Sequence, residues 1–189
     1  LQANFPLAYN NLGISLMSLA KYQQAVEAFK TAISLGPGLE MSHYNLALCH
    51  EQLNQPLEAE HTYKALIDLN PKFAEAHSNL GNLLANKGSF EDARIRHLTA
   101  IKLNEQDAKA HFNLAAVQKE MGNYEEAEAG CRRAIELAED LGEAHTLLGS
   151  IRWIKGDTET AKESLTLARA LKPDDPANHL LLTLLDGEI

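Results

Sequence analysis

Two residue types recur in this sequence at a fixed spacing, and both could do chemistry. Histidine occupies one point of a 34-residue pattern, at His43, His77, His111, His145 and His179. Imidazole is a common metal ligand, so a ladder of metal sites is one interpretation. No cysteine or carboxylate series supplies further ligands at the same level. We therefore expect packing histidines with no metal and no cofactor, and a pH-sensitive stack stays open because histidine titrates near neutrality.

Asparagine forms the second series, at Asn11, Asn45, Asn79 and Asn113. A side-chain amide both donates and accepts hydrogen bonds, so it can pair with a peptide unit whatever the sequence of that peptide. These residues are candidates for holding the main chain of a partner. The alternative is that asparagine is only a frequent, tolerated residue at this position.

Pairs of amphipathic helices must position both series. From Ala74 onward, apolar or small residues follow the three-and-four spacing of a helix, with one interruption at Gly88. Glycine commonly ends a helix in the left-handed conformation, so a second helix should begin after it. Ser89 and Asp92 have the spacing of a capping box at that start. We expect equivalent caps from Asn123 with Glu126, and from Asp157.

This helix pair repeats every 34 residues through almost the whole chain. One leucine series runs through Leu12, Leu46, Leu80, Leu114, Leu148 and Leu182, and one alanine series through Ala25, Ala59, Ala93, Ala127 and Ala161. A lone helix pair cannot bury its apolar face, so neighbouring pairs must stack. The sequence predicts an all-α solenoid whose helices approach most closely at the small residues.

The repeating positions resemble those of the tetratricopeptide repeat, which has a large residue, Leu-Gly and an aromatic, then Ala, an aromatic, Ala and Pro. The first unit fits this pattern at Tyr9, Leu12, Gly13, Ala25, Phe29, Ala32 and Pro37. The resemblance implies a right-handed α-solenoid of helix-turn-helix repeats. The units are 6–39, 40–73, 74–107, 108–141 and 142–175, with 1–5 as the tail of a preceding repeat and 176–189 as the first helix of a sixth repeat or a capping helix.

Later units depart from the family pattern, because histidine replaces the large first residue and His97, Cys131 or Leu165 replaces the second aromatic. In this family the first helices line a concave groove that binds extended peptides. The asparagine series is similar to the ladder in the repeat region of O-linked N-acetylglucosamine transferases. The resemblance therefore implies a protein-protein interaction module, a scaffold or adaptor, with partner-binding candidates Asn10, Asn11, Tyr44, Asn45, Asn79, Phe112, Asn113 and Trp153.

The C-terminal part of that groove should be more apolar. It offers Leu147, Trp153, Ile154, Leu180, Leu181 and Leu184, which suits an amphipathic helix. The alternative is that several of these residues are ordinary packing between helices. The two-carboxylate clamp of chaperone-binding relatives needs Lys and Arg in the groove. Glu75 with Asn79 stands there instead, so an acidic C-terminal ligand is disfavoured.

Composition excludes several other functions. A net charge of −9 and a pI near 5.3 argue against binding nucleic acid. No apolar run approaches the roughly 20 residues that span a bilayer. No nucleophile, base and orienting group recur together, and no glycine-rich phosphate loop follows a strand, so we expect no catalysis. Cys49 and Cys131 fall at different points of the repeat and replace core-facing residues, which predicts buried free thiols. Free thiols fit, but do not require, a reducing compartment such as the cytoplasm, which we expect.

Two further functions stay open. The chain could be the substrate-recruiting region of a larger enzyme, such as a glycosyltransferase or sulfotransferase. It could also be a scaffold that self-associates through its ends, because the last predicted helix is rich in leucine. Residues 1–5 match a repeat tail and residues 176–189 match a repeat start. We therefore expect the native array to extend beyond at least one terminus.

Overall fold

The computed structural model describes residues 5–187, which form eleven α-helices and no strand. We call α1, α3, α5, α7, α9 and α11 the first helices; they begin at Pro6, Glu40, Ala74, Ala108, Gly142 and Pro176. The others are the second helices. The bounds are α1 Pro6–Ser18, α2 Tyr22–Leu35, α3 Glu40–Gln52, α4 Pro56–Leu69, α5 Ala74–Asn86, α6 Phe90–Leu103, α7 Ala108–Glu120, α8 Tyr124–Leu137, α9 Gly142–Ile154, α10 Thr158–Leu171 and α11 Pro176–Asp186.

The chain divides into two compact units, unit 1 up to Leu83 and unit 2 from Leu84. Within each unit, a first helix packs against the second helix of its own repeat and against the second helix of the preceding repeat. Successive first helices also contact one another, as α1 does α3 in unit 1, and as α7 does α9 in unit 2. This stacking gives the all-α repeat solenoid that the periodicity predicts.

Small residues lie where the helices meet, as predicted. The alanines at 25, 59, 93, 127 and 161 are fully buried. A Cβ added to Gly13 would lie 2.6 Å from the Phe29 ring, and one added to Gly149 would lie 2.6 Å from Leu165 Cγ. The first helix therefore needs a small residue opposite the bulky position of its own second helix.

The predicted capping boxes are wrong. Ser89 and Asn123 do stand at the N-caps of α6 and α8, but neither side chain accepts a backbone hydrogen bond. Of the three expected caps only that by Asp157 is present, where the carboxylate accepts from the Thr160 N–H. Gly88 has φ +79°, as a left-handed helix end requires.

The leucine series is buried except in the first repeat. Leu12 is 48% exposed, whereas the same leucine is at most 8% exposed in every later repeat. In unit 1, Leu46 joins Ala25, Val26 and Phe29 of α2 in one apolar cluster, so the preceding second helix is what covers this position. Within the described residues, no helix precedes α1 to cover Leu12 in the same way.

Both cysteines are buried free thiols, as predicted. Cys49 packs in the apolar cluster of unit 1, and Cys131 packs with Ala115 and Ile151 in unit 2. Burial raises the pKa of Cys49 to about 11 and that of Cys131 to about 12. Neither thiol is therefore ionised near neutral pH, and both act as small apolar side chains.

Candidate functional site

The histidine series makes one repeated hydrogen bond. In every repeat after the first, which has Tyr9 at this position, the ring Nε2 lies close to the carbonyl oxygen six residues earlier, in the segment that leads into its helix. The pairs are His43 with Pro37 (3.1 Å), His77 with Pro71 (3.0 Å), His111 with Glu105 (3.1 Å), His145 with Glu139 (3.1 Å) and His179 with Pro173 (2.8 Å). This bond requires a proton on Nε2, so these histidines join the first helices from α3 onward to the segments that precede them.

No group of three or more His, Cys, Asp or Glu side chains within residues 5–187 is arranged to hold a metal ion. Over the same range, no helix has both the length and the apolar character needed to cross a membrane.

A groove lies on the first-helix side of unit 2. It has a volume of about 420 Å³ and lies between residues of α7, α9, α11 and the N-cap of α11. Apolar and polar side chains share its wall, which is formed by Phe112, Lys119, Glu143, Thr146, Leu147, Ser150, Asp175 and Leu181. A cleft that combines apolar walls with a few polar groups is the usual form of a binding site.

The groove residues of α9 define a repeating stripe, which we call the inner stripe. The α9 residues are Glu143, Thr146, Leu147 and Ser150, at the helical spacing of three and four. The same repeat positions are Glu75, Ser78, Asn79 and Asn82 in α5, and Met41, Tyr44, Asn45 and Leu48 in α3. Lys119 of α7 has Glu51 as its counterpart in α3. Asparagines 11, 45, 79 and 113 therefore all belong to the inner stripe.

Asn79 is engaged inside unit 1. Its Nδ2 donates to the hydroxyl of Tyr63 at 3.0 Å and lies 3.4 Å from the hydroxyl of Tyr44. Tyr63 is fully buried, and its hydroxyl in turn donates to Glu51 Oε1 at 2.6 Å. Burial and the bond to Glu51 raise the pKa of Tyr63 above its ordinary value. Only the carbonyl oxygen of Asn79 is left to accept a hydrogen bond from a partner.

Asn45 differs because the residue 16 positions before it is Phe29, whereas the residue 16 positions before Asn79 is Tyr63. A phenyl ring has no hydroxyl to accept the amide. Asn45 is 9% exposed, and its amide has no side-chain hydrogen-bond partner in the described part of the chain. Its polar atoms are not among those sealed from solvent. The whole amide of Asn45 is therefore open to a partner.

The other two asparagines of the series lie nearer to solvent. Asn11 is exposed, and its Oδ1 makes only a 3.5 Å contact with Nδ2 of Asn10. Asn10 also accepts a hydrogen bond from Ser42 Oγ at 2.9 Å, which joins α1 to α3. Asn113 is partly exposed. The residue 16 positions before it is His97, whose two ring nitrogens have no hydrogen-bond partner within residues 5–187.

The predicted aromatic anchors divide between the two units. Tyr44 packs against Phe73, with ring centroids 5.3 Å apart, and against Tyr63 at 6.3 Å. Phe112 lines the groove of unit 2, whereas Trp153 is partly buried on α9 and does not line it.

The apolar C-terminal set also divides. Leu147 and Leu181 line the groove of unit 2, and Leu147 also packs against the cluster around Cys131. Leu180, Leu184 and Ile154 are 54%, 38% and 50% exposed, outside that groove wall. Of this apolar set, Leu147 and Leu181 therefore line the groove, whereas Leu180, Leu184 and Ile154 do not.

The sequence did not single out three residues that contact Tyr44 or Asn79 or belong to their hydrogen-bond network: Glu51, Tyr63 and Phe73. Tyr63 could have been found from the sequence, because it is the only residue with a hydroxyl in the series Phe29, Tyr63, His97, Cys131 and Leu165. Its partners lie 12 and 16 residues away, on different helices. No local pattern reports that proximity.

Similar open grooves also occur on the second-helix side of each unit. One, of about 440 Å³ in unit 1, includes Lys30, His50 and Glu58; its counterpart three repeats later, of about 320 Å³ in unit 2, includes Arg132, Arg152 and Glu163. Both walls mix charges of either sign, and the Arg152 guanidinium is already bonded to Glu128 and Ser164. The inner stripe is the better candidate because it carries unpaired amides.

Sequence models of the tetratricopeptide repeat match residues 6–39, 44–98, 108–141 and 142–175, and a TPR repeat model matches 81–122. Together these matches cover most of the chain. The chain belongs to the tetratricopeptide repeat family. Membership places it among the helical repeat modules that serve as protein-interaction scaffolds. No curated protein sequence matches the chain significantly.

Solved tetratricopeptide structures share the fold. YrrB, described as a TPR protein with an unusual peptide-binding site, is 20% identical with a TM-score of 0.79, over 100% of this chain and 94% of its own. PilF of Pseudomonas aeruginosa is 19% identical with a TM-score of 0.86, over 97% and 83%. MamA of Desulfovibrio magneticus RS-1 is 18% identical with a TM-score of 0.81, over 90% and 97%. At these identities the likeness shows the fold.

Proposed function

We propose that this tetratricopeptide chain binds an extended segment of a partner protein along the inner stripe of its first helices. The observation that carries the proposal is the amide of Asn45, nine-tenths buried and without a partner in the described residues. Because its polar atoms still reach solvent, a peptide main chain can supply the acceptor and donor that this amide lacks.

The asparagines have different roles in this proposal. Asn11, Asn45 and Asn113 each offer a donor and an acceptor to a main chain, whereas Asn79 offers its carbonyl oxygen because Tyr63 takes its N–H. Since amides bind any peptide unit, specificity comes from the side chains beside them. We assign that role to Tyr44, Phe112 and Asn10, with Trp153 as a further contact near the end of α9.

Selection from a random 12-residue peptide library displayed on phage tests the proposal. The immobilised chain should enrich peptides, and the variant Asn45→Ala/Asn79→Ala/Asn113→Ala should bind them at least about tenfold more weakly, since each neutral hydrogen bond contributes about 0.5–1.5 kcal/mol. Circular dichroism should show that the variant keeps its helices. A folded triple variant with undiminished affinity would place the contact elsewhere.

The matched control changes three exposed polar residues on second helices, Gln23→Ala/Gln24→Ala/Thr166→Ala. It removes a similar number of polar groups from the surface. Its affinity for the selected peptides should equal that of the unchanged chain.

A further inference from the structure

The first helices of unit 1 contain no lysine or arginine. This holds for all of α1, α3 and α5, whereas α7 of unit 2 carries Lys109 and Lys119. Carboxylates are present in the same helices. Glu40 accepts a hydrogen bond from the Asn70 amide at 2.9 Å, which leaves Glu75 of the inner stripe and Glu51, the counterpart of the groove residue Lys119, without a basic partner on these helices.

Glu51 is held in a fixed position. Its Oε1 accepts from the Tyr63 hydroxyl at 2.6 Å, and that hydroxyl accepts from Asn79 Nδ2 at 3.0 Å. A carboxylate has two oxygens, and its Oε2 makes no hydrogen bond within the described residues. One oxygen therefore orients the group while the other can bind a donor from outside.

Tyr44 lies near both carboxylates. The Asn79 amide, 3.4 Å from the Tyr44 hydroxyl, is bonded to the Tyr63 hydroxyl that donates to Glu51, and Glu75 lies one turn before Asn79 on α5. Burial raises the pKa of Tyr44, the hydrogen bond from Asn79 partly offsets this, and the negative charges of Glu75 and Glu51 add to the increase. Phe73 supports the ring from 5.3 Å. An aromatic face beside uncompensated carboxylates is favourable for a cation.

A second, independent feature of the same stripe indicates a ligand here. Asn45, directly after Tyr44, is nine-tenths buried with an amide that has no partner in the described residues. An amide in this state is suited to a peptide unit. A main chain held by Asn45 would bring its side chains to the neighbouring Tyr44.

We propose that Tyr44, Glu51 and Glu75 form a subsite for one cationic side chain, arginine or lysine, of the partner segment. This inference rests on the proposed function, because the main chain of the same segment is what Asn45 holds. The cation would bind the unused oxygen of Glu51, lie near Glu75 and contact the Tyr44 ring. Charge complementarity selects this occupant, since an acidic segment would meet two unpaired carboxylates.

The test repeats the phage selection with Glu51→Gln/Glu75→Gln. Glutamine keeps an oxygen that can accept from Tyr63, so the fold should persist. The unchanged chain should enrich arginine or lysine at one aligned peptide position, and the double variant should lose that enrichment while still selecting peptides that depend on Asn45. Enrichment that survives in the variant, or selected peptides without a basic position, would overturn the subsite alone. Failure to select peptides that depend on the asparagines would overturn the proposed function.

A selected peptide then measures the pairing directly. Replacing its basic residue by alanine, or both glutamates by glutamine, should each weaken binding about tenfold, and the two changes together should weaken it little further. Simple multiplication of the two effects would contradict a direct contact. Glu27→Gln/Glu58→Gln is the matched control, because it makes the same charge change on α2 and α4. Its affinity should stay within about twofold of the unchanged chain.

Discussion

The amide nitrogen of Asn79 donates to the hydroxyl of Tyr63 at 3.0 Å, and this bond joins a first helix to the second helix of the preceding repeat. The same contact sets Asn79 apart from Asn45, which follows a phenylalanine. A residue that we predicted to face a partner is thus also part of the internal structure of unit 1.

Tyr63→Phe should lower the free energy of unfolding by about 1 kcal/mol, because it removes the hydroxyl shared by Asn79 and Glu51. Urea unfolding measures this loss. Tyr44→Phe is the matched control and should cost less, since its hydroxyl makes only a 3.4 Å contact with Asn79. Equal losses in the two variants would show that the Tyr63 bond has no special weight.

Single substitutions in the asparagine series should differ in their effect on peptide affinity. Asn45→Ala should weaken binding about two- to tenfold, because it removes both a donor and an acceptor that are free in the structure. Asn79→Ala should weaken binding less and also lower stability, since its N–H bonds Tyr63. Titration calorimetry with a selected peptide and urea unfolding measure the two effects. The reverse ranking would contradict these roles.

His97 should make unit 2 sensitive to acid. Burial lowers its pKa from 6.5 to about 4, so the unfolded chain binds this proton more readily than the folded one. His97 therefore leaves the free energy of unfolding unchanged above pH 6.5 and lowers it by up to about 3 kcal/mol as the pH falls toward 4. His97→Phe, which copies Phe29, should flatten the dependence of stability on pH in that window. An unchanged slope in urea unfolding from pH 7 to pH 4 would exclude His97 as its source.

Gly149→Ala should lower the free energy of unfolding by about 1–3 kcal/mol, since the new Cβ would lie 2.6 Å from Leu165 Cγ. The chain itself offers the compensating change, because Ala115 packs in one cluster with Cys131 at the equivalent positions. Leu165→Cys added to Gly149→Ala should therefore cost less than the sum of the two single changes. Chemical unfolding of the three variants tests this. Strictly additive costs would mean that the two positions do not share one space.

The sequence determined the repeat, the helix pairs and the side of each helix on which a residue lies. Leucine, alanine and histidine recur with the period of the fold, because each repeat meets the same neighbours and so faces the same packing demands. Gly88 also predicted its turn, because glycine readily adopts the left-handed conformation that ends a helix. Membership of the tetratricopeptide family follows from these periodic positions.

The tertiary structure alone decided what each member of a series does. Asn45 and Asn79 are equivalent in sequence, yet one amide is open and the other is bonded, because the residue 16 positions earlier is Phe29 in one case and Tyr63 in the other. Ser89 has the right spacing for a cap, but its side chain accepts no backbone hydrogen bond at the start of α6, whereas the Asp157 carboxylate does so at the start of α10. Periodicity reports which face a residue occupies, whereas a hydrogen bond depends on the chemistry of the neighbour that packing brings to it.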